Sequence, residues 1–75
     1  MKKTIKKLIN NRVIVHCKGG RYYEGDLLSC DDDMNIVLDD SEEFNESSRR
    51  YLGLVVFRGD YICEIEILSK KMNVN

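Results

Sequence analysis

Through most of this chain apolar and polar residues alternate with a period of two, the repeat of a strand with one face turned inward. From Arg12 to Lys18, the side chains of Val13, Val15 and Cys17 share one face and those of Ile14, His16 and Lys18 the other. Gly19-Gly20 is a tight-turn signal, so the chain returns antiparallel from Arg21 as a hairpin. Gly25 interrupts that second strand, where a glycine marks a sharp bend or a close backbone approach. After a turn at Asp31-Asp32-Asp33, a third strand runs from Met34 to about Phe44, and the polar stretch Ser41 to Ser48 is expected as a loop at its far end. In the fourth strand, Arg50 to Arg58, Leu52, Leu54 and Val56 alternate with Tyr51, Val55 and Phe57, so both faces demand cover. Gly59 permits an abrupt reversal. The fifth strand, Tyr61 to Leu68, points Cys63, Ile65 and Ile67 inward and Glu64 and Glu66 outward.

Ahead of the strands, Thr4 to Asn10 reads as a short helix, with Thr4 as its cap and Ile5, Leu8 and Ile9 on one side. The expected fold is mainly β: a short N-terminal helix followed by a five-stranded, strongly bent antiparallel SH3-like barrel. One domain spans residues 1–75, with the helix over about 4–10, the barrel over about 12–68 and a polar tail over 69–75. A five-stranded barrel that does not close leaves edge strands in need of protection. The two-sided apolar fourth strand points to a neighbouring copy or a paralogue as that protection. Head-to-tail pairing of edges generates a ring when the rotation closes.

Size sharpens this expectation. A domain of 75 residues buries a modest fraction of its surface and needs disulfides, a metal or oligomerisation to gain stability. Three cysteines, Cys17, Cys30 and Cys63, are an odd number without a Cys-x-x-Cys pair, which argues against a disulfide framework and for a reducing compartment. One histidine cannot complete the usual zinc sets, and neither a metal nor a cofactor is expected. Oligomerisation is what remains. No apolar run approaches membrane-spanning length, and basic Met1-Lys2-Lys3 is not followed by a signal-peptide core. The formal net charge is −1, so a nucleic-acid binder of this composition must use a local pocket or borrow positive charge from its neighbours.

The candidate chemistry lies in two clusters, Asp31-x-x-Met34-Asn35 and Arg58-Gly59-Asp60, each at the end of an apolar strand. If they face one another, they form a small slot of amide, guanidinium and free backbone groups, suited to a planar hydrogen-bonding ligand such as a nucleobase. Blander readings stand beside this one. Arg58 and Asp60 are also a plausible turn ion pair, and Asn35 a turn residue bonding its own backbone. Asp31, Asp33, Asn35, Asp39 and Glu42 fall at positions 1, 3, 5, 9 and 12 of a calcium-loop register, but Ile36 stands where that loop requires glycine. His16 and Cys17 are adjacent on a strand and so point to opposite faces, which removes them as a nucleophile–base pair. No catalytic residue is expected. Tyr22, Tyr23, Tyr51 and Tyr61 suit packing better than base stacking.

With these residues in place the chain resembles the Sm and Sm-like (LSm) proteins. Gly20-Arg21, Gly25, Asp31, Met34-Asn35 and Leu38 carry the first box of that family, and Leu54 through Asp60 with the apolar strand after it carry the second. The likeness runs from about Thr4 to Leu68. Glu42-Glu43-Phe44 and Arg49 through Gly59 look most like the B-type Sm subunit, although B subunits often carry a proline-rich tail and this chain has no proline.

The resemblance implies a closed ring, commonly of seven different subunits joined through the fourth and fifth strands, that binds uridine-rich single-stranded RNA around its central hole. It implies a role in small nuclear ribonucleoprotein assembly and pre-mRNA splicing, in the nucleus with cytoplasmic assembly possible. The alternatives are an LSm ring acting on small nuclear RNA 3′ ends or in mRNA decay, and a non-RNA-binding SH3-like scaffold module. Carried over by position, Asn35 bonds the base edge, Asp31 holds the Asn35 loop in shape, Arg58 stacks on the base, and Gly59 makes room. Asp60 completes the second cluster. The residue before Met-Asn is often aromatic or histidine in the family and stacks on the other face of the base; here it is Asp33, which cannot.

Overall fold

The computed structural model describes residues 6–69. Five strands follow one another: β1 (Arg12–Cys17), β2 (Tyr22–Cys30), β3 (Ile36–Asn45), β4 (Ser48–Phe57) and β5 (Ile62–Ser69), with a 3-10 turn at Gly59–Tyr61 between the last two. All pairings are antiparallel, and the order across the sheet is β4-β3-β2-β1-β5. The two strands that are consecutive in sequence at the C-terminal end therefore occupy opposite edges. The 3-10 turn has to cross from one edge to the other, which is possible because the sheet bends back on itself.

Glycine and a single serine make that bend. A Cβ on Gly25 would stand 2.9 Å from the Ser41 Cβ and 3.1 Å from the Asp39 carbonyl, so only glycine lets β2 lie this close to β3. The β2–β3 register shifts at this point, between Glu24 and Asp26. Across the next pairing, Gly53 adopts φ +79°, and the register of β3 against β4 shifts on either side of Ser41. Ser41 is fully buried and its hydroxyl donates to the Gly53 carbonyl at 2.7 Å. A buried polar group is tolerated when it is bonded in this way.

Here the expected loop over Ser41 to Ser48 is corrected. β3 continues to Asn45, and only residues 46–47 form the turn. The polar composition that suggested a loop belongs to a hairpin arm standing in solvent, held by cross-strand Arg50–Glu43 (2.7 Å) and Arg49–Glu42 (3.5 Å) pairs.

Val13, Val15, Leu27, Ile36, Leu38 and Phe57 form the core, with Leu8, Ile9, Cys17, Tyr23, Cys30, Val55, Ile62 and Ile65 packed against it. The inward set expected for β5 is corrected in part. Cys63 and Ile67 are exposed. At Cys63 the reason is a register irregularity between His16 and Cys17 that pairs Cys17 with Ile62. That irregularity turns Ile62 to the core instead of Cys63. Ile67 keeps its register opposite Val13 and is exposed near the end of the edge strand. Of the expected N-terminal helix, Thr4 and Ile5 lie outside the described residues; Lys6 is helical and residues 7–10 are turn. This segment is tied down by the Asn10 N–H to the Leu27 carbonyl at 2.7 Å and the Leu27 N–H to the Asn11 carbonyl at 3.0 Å. The expected polar tail lies outside the described residues beyond Ser69.

Both edges of the sheet are open and apolar. On β4, Leu54 and Val56 are 63% and 68% exposed, and Tyr51 is exposed beside them. On β5, Ile67 and Leu68 are exposed. In the single chain, the outer face of the fourth strand is thus bare, and the cover that its sequence demands does not come from this chain's described residues.

Candidate nucleic-acid interface

Two loops meet where the 3-10 turn crosses the barrel. The first, between β2 and β3, is built around Asp31. Its Oδ1 accepts the backbone N–H groups of Asp33 and Asn35, both at 2.9 Å, and its Oδ2 accepts Nδ2 of Asn35 at 2.9 Å. The Asn35 carbonyl in turn accepts the Asp31 N–H at 3.0 Å, and Met34 takes φ +65° to close the turn. These bonds to its charged form hold the Asp31 carboxyl below its ordinary pKa, the Asn35 amide contributing most.

The second loop docks onto the first through Gly59. Its N–H donates to Oδ1 of Asn35 at 2.8 Å. A Cβ on Gly59 would lie 2.0 Å from the Asp33 carbonyl oxygen and 3.0 Å from the Met34 carbonyl carbon. No other residue fits there.

One side chain, Asn35, therefore links both loops and is half used by them. An amide has two N–H donors and two acceptor lone pairs. Asp31 takes one donor and Gly59 one lone pair. One donor and one acceptor remain on an amide whose orientation the two bonds fix, a pair of the kind that complements a base edge carrying an acceptor and an N–H.

Arg58 stands next to this edge, with its side chain 79% exposed and its Nε 3.9 Å from Asp60. The turn ion pair considered from the sequence is therefore present, but an exposed pair at this separation restrains the guanidinium little. Arg58 remains available to lie over a planar ligand, where a cation over a π-face gains roughly 0.5–2 kcal/mol. Asp33 is exposed at the rim. Asp31, Asp32, Asp33 and Asp60 make the slot acidic, relieved in part by Lys6 at 3.3 Å from Asp32. Such a rim favours a base edge and repels phosphate.

All six residues expected from the sequence, Asp31, Asp33, Asn35, Arg58, Gly59 and Asp60, thus belong to one pair of docked loops. The Lys6–Asp32 contact and the positive φ of Met34 had no signal in the alternation pattern. Among the tyrosines, Tyr22 stacks on Phe44 with ring centroids 5.1 Å apart, and Tyr23 packs edge-on against Phe57 at 4.8 Å. Tyr51 and Tyr61 are exposed. His16 bonds Glu66 at 2.7 Å on the outer face while Cys17 packs inward, where burial raises its thiol pKa and quenches its nucleophilicity.

An open β-barrel whose two edges are apolar and unpaired among the described residues, with two polar loops locked together beside them, defines a small module built to assemble. The chain belongs to the LSM-domain family, whose model matches residues 3–67. It is 37% identical over 67 residues to a probable small nuclear ribonucleoprotein G of Drosophila melanogaster, covering 88% of each chain. It is 33% identical over 72 residues to the small nuclear ribonucleoprotein-associated protein B of Schizosaccharomyces pombe, covering 80% of this chain and 49% of that protein. G and B proteins are both among its relatives.

Among solved structures, a heptameric archaeal Sm protein superposes with a TM-score of 0.82 at 27% identity, covering 89% of this chain and 98% of that one. The Sm protein of Pyrococcus abyssi in complex with a uridine heptamer gives 0.80 at 29% identity, with 87% and 93% covered. A chain in a crystal structure of the NatC complex bound to CoA gives 0.79 at 35% identity, with 84% and 82% covered.

Proposed function

We propose that this chain is a non-enzymatic subunit of a closed Sm/LSm ring that holds uridine-rich single-stranded RNA. In this reading β4 of one subunit pairs with β5 of the next, burying Leu54, Val56 and Leu68 and satisfying the edge backbone. The slots of successive subunits then face a common opening. Each takes one base, with Asn35 bonding its edge, Arg58 over its face and Gly59 at its back.

The observation that carries the reading is the Asp31–Asn35–Gly59 lock, which leaves one amide donor and one acceptor of Asn35 unused by it. Its relatives named small nuclear ribonucleoproteins support a nuclear role in small nuclear ribonucleoprotein assembly and splicing. The similarity to a chain of the NatC complex favours a second reading, a scaffold subunit that docks proteins through the same edges and leaves the slot empty.

Native mass spectrometry with a fluorescent oligouridine titration separates the two. The ring reading expects a closed oligomer, alone or with partner subunits, whose oligouridine affinity falls about tenfold or more in Asn35→Ala, since the truncation removes the base contacts and orphans the Gly59 N–H at about 1–3 kcal/mol. A monomer that ignores oligouridine leaves the scaffold reading.

A further inference from the structure

Beyond the slot, a cavity of about 200 Å³ opens beside the 3-10 turn. Its fixed walls are Phe57, almost fully buried, and Tyr23, held edge-on to Phe57 and anchored by its hydroxyl on Glu43 at 2.9 Å. Tyr61, 61% exposed, forms the outer wall, and Lys18 and Arg21 stand on the rim. Tyr61 lies two residues past Gly59 along the 3-10 turn, a rise of about 4 Å. Its carbonyl, bonded by the Lys18 N–H at 3.0 Å, ties the turn to the β1–β2 loop that carries both cations.

We propose that this cavity is a second nucleotide subsite, taking the residue of single-stranded RNA next to the one in the slot, its base against Tyr61 and its phosphate on Lys18 and Arg21. The proposal rests on the RNA reading above and extends it. The charge distribution directs it. The slot is ringed by Asp31, Asp32, Asp33 and Asp60, so a base can enter but the phosphate that follows must be neutralised elsewhere. Arg49 and Arg50, on the nearby hairpin, are already engaged by Glu42 and Glu43. Lys18 carries no ion pair among the described residues, and Arg21 is exposed beside it, near enough to Glu43 to help lower that carboxyl's pKa. Lys18 and Arg21 thus border a cavity that carries three aromatic side chains, Tyr23, Phe57 and Tyr61. An aromatic face with a cation at its rim is the recurring platform for sequence-tolerant binding of single strands.

The test is anisotropy of fluorescein-labelled U15 on the full-length protein over a series of salt concentrations. Wild type, Lys18→Ala/Arg21→Ala, Lys18→Arg/Arg21→Lys, Tyr61→Ala and Asn35→Ala are compared at matched oligomeric state. The double alanine variant is expected to lose about tenfold in affinity. Its slope of log K against log salt should shrink by about 0.7 for each occupied subsite, one phosphate being neutralised at each. The charge-keeping variant should retain both, and Tyr61→Ala should lose several-fold with the slope unchanged. If Asn35→Ala abolishes binding while the double alanine variant matches wild type in affinity and slope, the subsite is overturned and the slot stands. If wild type does not bind U15, both fall.

Discussion

The docked loops and the open edges of this small barrel handle their polar backbone in opposite ways. Around Asn35 the loop groups find partners within the chain: Asp31 collects three donors and Asn35 collects the Gly59 N–H, all between 2.8 and 2.9 Å. At β4 and β5 the outer backbone has no strand beside it among the described residues, and apolar side chains stand in solvent. A binding slot must be rigid before its ligand arrives, because ordering it on binding would cost affinity. An assembly strand must instead be left incomplete, because its missing bonds are the driving force for the next subunit. One chain of this size carries both by confining rigidity to two loops and leaving its outermost strands unfinished.

The sharpest way to break that contrast is to spoil an edge and leave the loops alone. Leu54→Asp with Val56→Asp places two carboxylates on the exposed face of β4, where neither touches the core. Loss of the oligomer by native mass spectrometry is expected, together with a drop in oligouridine affinity of about 100-fold or more as multivalent engagement disappears. The reverse experiment spoils the loops and leaves the edges. Gly59→Ala forces a methyl group onto the Asp33 carbonyl. It should lower stability by about 1–3 kcal/mol, as overpacking does, and abolish slot binding while the oligomer persists; thermal melts and mass spectrometry read the two effects separately.

A smaller change sharpens the slot without disturbing it. Asp33→His replaces a phosphate-repelling carboxylate with a ring able to stack on the free face of the base. Stacking contributes about 1–3 kcal/mol per base, so uridine affinity at fixed salt should rise several-fold; unchanged or weaker affinity would mean that this slot is not used. The least effect is expected from pH. The folded-state pKa of Asp31 lies below its unfolded value, so its contribution to the loop is complete above the ordinary aspartate range, near 3.9, and disappears only as pH falls through the lower folded value. The Asn35 side-chain amide signal in NMR should therefore hold its position on acidification to about pH 4 and move below it. Asp31→Asn should abolish that pH step.

Much of this was legible in the order of residues. Five strands with a Gly25 bend follow from period-two alternation and from where glycine is required, and the six slot residues follow from two polar clusters at strand ends. Other features were hidden for identifiable reasons. Ser41 looked like loop because a serine among acids is usually solvated; its burial depends on a carbonyl made available by Gly53, twelve residues away. Cys63 looked like core because alternation was extended through the irregularity beside Cys17, and pairing registers are a property of two strands together. The Tyr61 cavity draws on β1, β2, β4 and the 3-10 turn, so no stretch of sequence contains it.

By itself, the sequence determined the order of the strands, the β1–β2 turn and the two polar clusters at strand ends, because each depends on neighbours a few positions apart: alternation, a glycine pair, an Asp four residues before an Asn. Only the tertiary structure decided that Ser41 would be buried on the Gly53 carbonyl, that the Gly59 N–H would bond Asn35, and that two cations would border an aromatic cavity. Those outcomes come from a sheet that bends until its ends approach, so the contacts that matter join residues far apart along the chain and no local pattern encodes them.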